Sequence, residues 1–138
     1  AVHLSCNLLN PNNTVMKKVL LVEDDAEQVA IFRIPFELTG FTIVSESDSK
    51  KVLAKAVEWR PDVILLDLVM EDVDGLEVLR RLKSNEQTKN IPVAILTNVS
   101  AKEKMEEAKA LGATDFWEKT KVMPQEIVKK CKKILGMQ

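Results

Sequence analysis

The chain has few histidine and cysteine residues and lacks the glycine-rich motif that dinucleotide-binding sites use. Its only histidine, His3, and one of its two cysteines, Cys6, lie within residues 1–15, far from Cys131. Without a C-x-x-C spacing, neither a zinc site nor a disulfide framework is expected, and histidine catalysis is excluded from the remaining chain. No G-x-G-x-x-G motif follows the first predicted strand, which argues against a dinucleotide-binding domain.

The chain also lacks a long hydrophobic run and an excess of one charge. No stretch approaches the length of a membrane span. The 20 basic and 21 acidic side chains leave a net charge of -1, which offers nucleic acid no general attraction. We therefore expect a cytoplasmic protein that binds neither a membrane nor, directly, a nucleic acid. At 138 residues, of which 46% are hydrophobic, the chain suits one globular domain.

The first part of the chain differs in composition from the rest. Residues 1–15 are rich in asparagine, contain Pro11, and show no basic segment followed by an apolar one, so they are not a secretory signal. A regular pattern of apolar residues starts after Met16. We expect residues 1–15 to be a cloning leader or a disordered extension, and residues 16–138 to form the domain.

Strand-like and helix-like segments alternate along the domain. Short apolar runs at 19–22, 42–44, 63–66, 93–96 and 115–118 are separated by segments with helical spacing. A repeated strand and helix unit implies a mostly parallel sheet with helices on both faces. The sequence thus predicts an α/β fold of five parallel strands and five helices, doubly wound as in flavodoxin, with strand order 2-1-3-4-5.

Capping residues and apolar periodicity place the helices. The first is predicted to begin after Asp25, with Gln28 completing a capping box, and to contain Pro35, which removes one backbone hydrogen bond. The second helix is predicted to follow Asp48, and the third to carry the apolar residues Leu76, Val78, Leu79 and Leu82. The fourth is predicted to end at Gly112. The fifth is predicted to begin with Pro124 and to bury Ile127, Val128 and Cys131.

Polar residues stand at the carboxyl ends of four predicted strands. Glu23, Asp24 and Asp25 follow the first, while Asp67, Thr97 and Lys119 end the third, fourth and fifth. These strands are neighbours in the predicted order, so the side chains should meet in one crevice.

Carboxylates gathered in one crevice require a cation. Two of them about 5 Å apart repel by roughly 3 kcal/mol at an effective dielectric constant of 20. Mg²⁺ removes that repulsion and leaves coordination positions for water and phosphate oxygens. Lys119 and Thr97 can each donate a hydrogen bond to a phosphate oxygen, and Asp67 is then the natural nucleophile for an acyl phosphate.

Five sequence motifs follow one another along the chain and resemble those of a known family. They are V-L-L-V-E-D-D at 19–25, V-I-L-L-D-L-V-M at 63–70, D-G at 74–75, A-I-L-T at 94–97 and L-G-A-T-D-F-W-E-K at 111–119. In order and type they resemble the response-regulator receiver domain of two-component signalling, of the chemotaxis type. The resemblance covers residue 16 to the end of the chain.

The resemblance implies a switch rather than a turnover enzyme. A sensor histidine kinase, a phosphotransfer protein or a small phosphodonor would phosphorylate Asp67 with Mg²⁺ bound. The phosphoryl group would draw in Thr97, and Phe116 would respond as the second switch residue. The surface of the fourth helix, fifth strand and fifth helix would then change its affinity for a downstream protein target.

The resemblance also implies which groups hold the metal. Besides Asp67, we assign Asp24 as a direct ligand, Glu23 as its neighbour acting through water, and Val69 as a ligand through its backbone carbonyl. Asp25 remains the alternative to Asp24, although it is expected to cap the first helix.

The chain departs from the family pattern at several positions near the predicted site. Thr120 stands where proline usually follows the lysine, so a trans peptide bond could aim Lys119 differently. Asn98 replaces a small residue, and Glu71 replaces a proline. Val69 and Val99 cannot orient an attacking water. We therefore expect slow self-dephosphorylation.

Other functions remain to be compared with this one. A haloacid dehalogenase phosphatase needs a second aspartate where Val69 stands, so that enzyme class is disfavoured. A calcium loop at 72–75 is rejected because Met70 and Arg81 occupy positions that need oxygen ligands. The alternative that remains is a receiver-like interaction module that works without phosphorylation.

Overall fold

The fold is known from a computed structural model that describes residues 17–70, 74–98 and 102–137. Within these ranges, five parallel strands form one sheet in the order β2-β1-β3-β4-β5 and alternate with five helices, which confirms the predicted fold class. The elements are β1 (Lys18–Val22), α1 (Ala26–Leu38), β2 (Thr42–Glu46), α2 (Val52–Trp59), β3 (Val63–Leu66), α3 (Gly75–Ser84), β4 (Val93–Thr97), α4 (Lys102–Ala110), β5 (Asp115–Glu118) and α5 (Pro124–Ile134).

Two hydrophobic cores lie on opposite faces of the sheet. On one face, Leu20 and Ile64 pack among residues of α2, α3 and α4. On the other, Leu21 and Leu65 pack against α1 and α5, with Cys131 fully buried. Because β3 is buried on both faces, its sequence is apolar at every position rather than alternating.

The start of α1 differs in one detail from the sequence prediction. Asp25 caps the helix as expected, and its side chain accepts the N–H of Glu27 at 2.9 Å. The predicted capping box with Gln28 is wrong, because the N–H of Asp25 instead donates to Glu23 Oε2 at 3.3 Å. Glu23 is buried and paired with Lys119, so a carboxylate two residues before Asp25 takes this N–H in place of Gln28.

The outer face of α1 carries apolar side chains that are exposed to solvent. The helix continues across Pro35 to Leu38 and buries Phe32 and Phe36. Ile31, next to Phe32 in the helix, is 48% exposed instead. Since Pro35 has no N–H, the carbonyl of Ile31 also has no helical donor from that position.

Other helix boundaries follow local signals. Asp48 accepts the N–H of Lys50 at 2.9 Å and caps a short 3-10 turn, Ser49–Lys51, that leads into α2. Gly112 has a φ of 104° after α4, a left-handed conformation that glycine adopts readily at a helix end. Among the described helices, none combines the length and hydrophobicity needed to cross a bilayer.

Two groups of predictions concern residues that the structure does not describe. The leader or extension at 1–15 and the substitutions at Glu71 and Val99 lie outside the described ranges. They stay predictions.

Candidate functional site

The structure brings the predicted strand-end side chains together around Asp67. Asp67 is only 7% exposed. Its Oδ1 accepts the Thr97 hydroxyl at 3.0 Å and the Val69 N–H at 2.9 Å, and its Oδ2 accepts Lys119 Nζ at 3.1 Å. These donors come from β4, the loop after β3 and the end of β5. The parallel order of the strands therefore produces the crevice that the sequence predicted.

Lys119 also forms an ion pair with Glu23 at the end of β1, an interaction that the sequence analysis did not predict. Both side chains are buried. Burial raises the pKa of Glu23, an effect that the contact with Lys119 only partly offsets. Burial by itself lowers the pKa of Lys119, but its contacts with Glu23 and Asp67 outweigh burial, so the net pKa is raised. One ammonium thus bridges two buried carboxylates.

A cleft lies beside the site at Val69. Asp24, Asp25, Val69 and Met70 line this cleft, which has a volume of about 520 Å³. Asp24 is exposed, whereas Asp25 is engaged in capping α1. Across the described ranges, no three histidine, cysteine or acidic side chains are grouped closely enough to form an all-protein metal cage. Mg²⁺ does not need one, because it uses one or two carboxylates and keeps several waters. The Asp24 and Asp67 carboxylates and the Val69 carbonyl are donors of the type that it prefers.

The departures from the family pattern have specific positions in the structure. The described chain has no cis peptide bond, so Lys119 and Thr120 are joined in trans, and Lys119 nevertheless reaches Asp67. Asn98 is exposed at the end of β4. Val69 is 59% exposed beside Asp67, and its apolar side chain offers no hydrogen bond to a water molecule there.

The two aromatic residues of β5 are distinguished by burial. Trp117 is buried in the core against α1 and α5, whereas Phe116 is partly buried on the opposite face. Of the two aromatic side chains, Phe116 is thus the less enclosed.

Comparison with known proteins identifies the family. The family model described as "Response regulator receiver domain" matches residues 19–132. The chain belongs to this family. This match confirms the resemblance inferred from the motifs. Receiver domains are switches of two-component signalling rather than classical enzymes.

Individual relatives agree with the family. The receiver domain is 31% identical over 121 residues to the phosphate regulon transcriptional regulatory protein PhoB of Pseudomonas aeruginosa. The aligned residues cover 88% of this chain and 52% of PhoB. It is 32% identical over 111 residues to the polar-differentiation response regulator DivK of Brucella anthropi, covering 80% of this chain and 90% of DivK. The chain spans about half the length, or less, of the transcriptional regulators that it matches.

Solved structures share the fold. The chemotaxis response regulator CheY4 of Vibrio cholerae matches with a TM-score of 0.80 at 30% identity, over 88% of this chain and 100% of CheY4. A structure described as the Mn²⁺-bound form of the response regulator Rcp1 matches with a TM-score of 0.73 at 24% identity, over 84% of this chain and 91% of Rcp1. At that identity, the second likeness shows the fold alone.

Proposed function

We propose that the receiver domain is a phosphorylation-activated switch and that Asp67 accepts the phosphoryl group from a histidine kinase or a phosphotransfer protein. The observation that carries this proposal is the ring of donors around one carboxylate, formed by Lys119, Thr97 and the N–H of Val69. An Asp67 oxygen attacks phosphorus, the bond from phosphorus to the donor breaks, and an acyl phosphate forms. The donors around Asp67 can then hold the phosphoryl oxygens.

The same contacts suggest how the switch responds. Thr97 donates to Asp67 before phosphorylation, so a phosphoryl oxygen would compete for this hydroxyl and draw it away from the carboxylate. We infer that a shift of Thr97 lets the partly buried Phe116, on the neighbouring strand, change its packing. We infer that the surface formed by α4, β5 and α5 then changes its affinity for a protein target, as a shift between two populated states.

Mg²⁺ is the proposed cofactor, held by the carboxylates of Asp24 and Asp67 and by the carbonyl of Val69, with Glu23 acting through water. Its role is to neutralise the charge shared between the carboxylates and the phosphoryl group. The engagement of Asp25 as a helix cap supports Asp24 as the direct ligand. The Mn²⁺-bound form of Rcp1 is consistent with a divalent metal in this fold.

The phosphodonor is proposed to dock on the outer face of α1. Ile31, Ile34 and Leu38 are exposed there at helical spacing, and Met123 is exposed before α5. Ile31 and Met123 line one cleft of about 350 Å³ that extends to Lys119. A partner seated over this cleft would reach Lys119, which contacts Asp67. We place the domain and this encounter in the cytoplasm. Exchanging Ile34 for serine should slow transfer from the kinase and spare phosphorylation by acetyl phosphate.

Acetyl phosphate with Mg²⁺ tests the central proposal without knowledge of the kinase. The intact mass of the wild-type domain should gain one phosphoryl group, and Asp67→Asn should gain none. Asp48→Asn is the matched control, because Asp48 caps a remote turn and asparagine caps equally well. If the wild-type domain gains no mass and shows no fluorescence change with beryllofluoride and Mg²⁺, the phosphorylation-independent interaction module is the better account.

A further inference from the structure

The first residue of α3, Gly75, packs directly on the backbone that carries Asp67. Its N–H donates to the carbonyl of Leu68 at 2.9 Å. A Cβ atom placed on Gly75 would lie 2.4 Å from Leu68 Cα and 2.8 Å from the carbonyl oxygens of Asp67 and Leu68. Favourable contacts between carbon atoms start at about 3.5 Å, so a side chain does not fit.

The requirement for glycine at this position is spatial rather than conformational. Gly40, Gly112 and Gly136 are the described glycines with positive φ, and Gly75 is not among them. Any residue could therefore adopt the backbone conformation of Gly75. The atoms in the way all belong to the main chain, so no rotation of a side chain relieves the clash. Either the backbone of Asp67 and Leu68 must shift or the first turn of α3 must.

The helix is the better anchored of the two. α3 buries Leu76, Val78, Leu79 and Leu82 in the core, which fixes its position against the sheet. Asp67 and Leu68 lie past the end of β3: the N–H of Asp67 still donates to the carbonyl of Val22 at 3.1 Å and Leu68 is buried, but the paired register with β4 ends at Leu66. A side chain on Gly75 should therefore displace the segment that follows β3 rather than the helix.

We propose that Gly75 is a positioning residue for phosphorylation, because the close approach that it permits sets where the Asp67 carboxylate lies. Of the three atoms that an added Cβ would meet, two belong to Leu68 and the third is the carbonyl oxygen of Asp67 itself. Asp67 meets Thr97 and Lys119 at 3.0 and 3.1 Å, so a backbone shift of about 1 Å separates these pairs. Misplacement by about 1 Å can slow a reaction on the order of 10²-fold. The inference rests on the proposed function of Asp67.

The test is Gly75→Ala, assayed for the rate of phosphorylation by acetyl phosphate at saturating Mg²⁺ while the variant is folded. We expect the maximal rate of phosphorylation to fall by at least about tenfold. The acetyl phosphate concentration that gives a half-maximal rate should change little. The control is Leu82→Ala, which leaves a cavity at the other end of α3 and lowers stability without touching Asp67. It should retain the wild-type rate.

The outcomes separate this inference from the proposed function. If the wild-type domain is not phosphorylated at all, the function of Asp67 is wrong. If wild type and Gly75→Ala are phosphorylated at equal rates and only stability falls, the positioning role is overturned. If Gly75→Ala is unfolded in buffer, the comparison is made in sucrose, which favours the folded state. A variant that stays unfolded in sucrose shows that the glycine serves the fold itself, and this result also overturns the proposal.

Discussion

Replacing Lys119 by methionine removes the ammonium that Glu23 and Asp67 share while keeping a side chain of similar length. In the wild-type domain all three side chains are largely buried, so the two carboxylates depend on Lys119 for charge compensation. The variant leaves them close together in a site with little access to water. Burial already raises the pKa of Glu23, which shows that its charged form is costly there.

The expected loss of stability is large for a single substitution. Removing one partner of a buried ion pair costs about 3–5 kcal/mol because an uncompensated charge remains. Repulsion between two carboxylates about 5 Å apart, roughly 3 kcal/mol at an effective dielectric constant of 20, is of the same size. We therefore expect Lys119→Met to lower the free energy of unfolding by about 3–5 kcal/mol at pH 7 without added metal.

The loss should depend on pH in a defined direction. Without Lys119, the contact that lowers the pKa of Glu23 is gone, so this pKa lies still further above its ordinary value of 4.5. A carboxyl group whose pKa is higher in the folded state than in the unfolded state stabilises the fold at pH values below its unfolded pKa. This stabilisation is lost as the pH rises through the folded-state pKa. The penalty of Lys119→Met should therefore be smallest near pH 4.5 and grow towards neutral pH.

Urea unfolding monitored by tryptophan fluorescence and circular dichroism measures this loss. Adding Glu23→Gln to Lys119→Met should recover a substantial part of the lost stability, because one of the facing charges is removed. Lys121→Met is the matched control, since the Lys121 side chain is 73% exposed and its surface pair with Glu118 contributes about 1 kcal/mol or less. A loss below about 1 kcal/mol at pH 7, or no recovery in the double variant, would refute the reasoning.

Three further predictions concern the metal, the phosphate lifetime and the buried thiol. Asp25→Ala should lower the free energy of unfolding by about 1 kcal/mol yet keep Mg²⁺-dependent phosphorylation. Asp24→Ala should lose Mg²⁺-dependent phosphorylation. If Asp25→Ala loses this phosphorylation and Asp24→Ala keeps it, Asp25 is the ligand. Exchanging Val69 for glutamine, which can hold a water molecule, should shorten the phosphate half-life about tenfold by intact mass, and an unchanged half-life would contradict this. Burial raises the pKa of Cys131 from 9.0 to about 12, so in a Cys6→Ser background at pH 8 a thiol reagent should label it only as fast as the protein unfolds.

The sequence predicted the parts of this domain that follow from periodicity. The continuous apolar run of β3 requires burial on both faces, and its alternation with helical segments requires a parallel sheet. In such a sheet the polar residues at the strand ends share one edge, which is why Asp67, Thr97 and Lys119 could be placed together before their distances were known.

The local capping signal at the start of α1 was less reliable, because another side chain takes the same N–H group. A capping box needs only Asp25 and Gln28, and the sequence supplies both. In the structure the N–H of Asp25 donates to Glu23, whose position is fixed by the end of β1 and by Lys119. Glu23 is only two residues from Asp25, but the Lys119 side chain that pairs with Glu23 is remote in sequence, so no local pattern could reveal that arrangement.

The sequence alone thus determined the order of the strands, the edge where the polar side chains meet, and the family to which the chain belongs. Tertiary structure decided how these groups are paired. It placed one ammonium between Glu23 and Asp67, brought Thr97 to Asp67 before any phosphoryl group is present, and pressed Gly75 against the backbone of Asp67. Periodicity fixes which face or edge a residue occupies, whereas contacts at the ångström scale depend on how whole elements pack against one another.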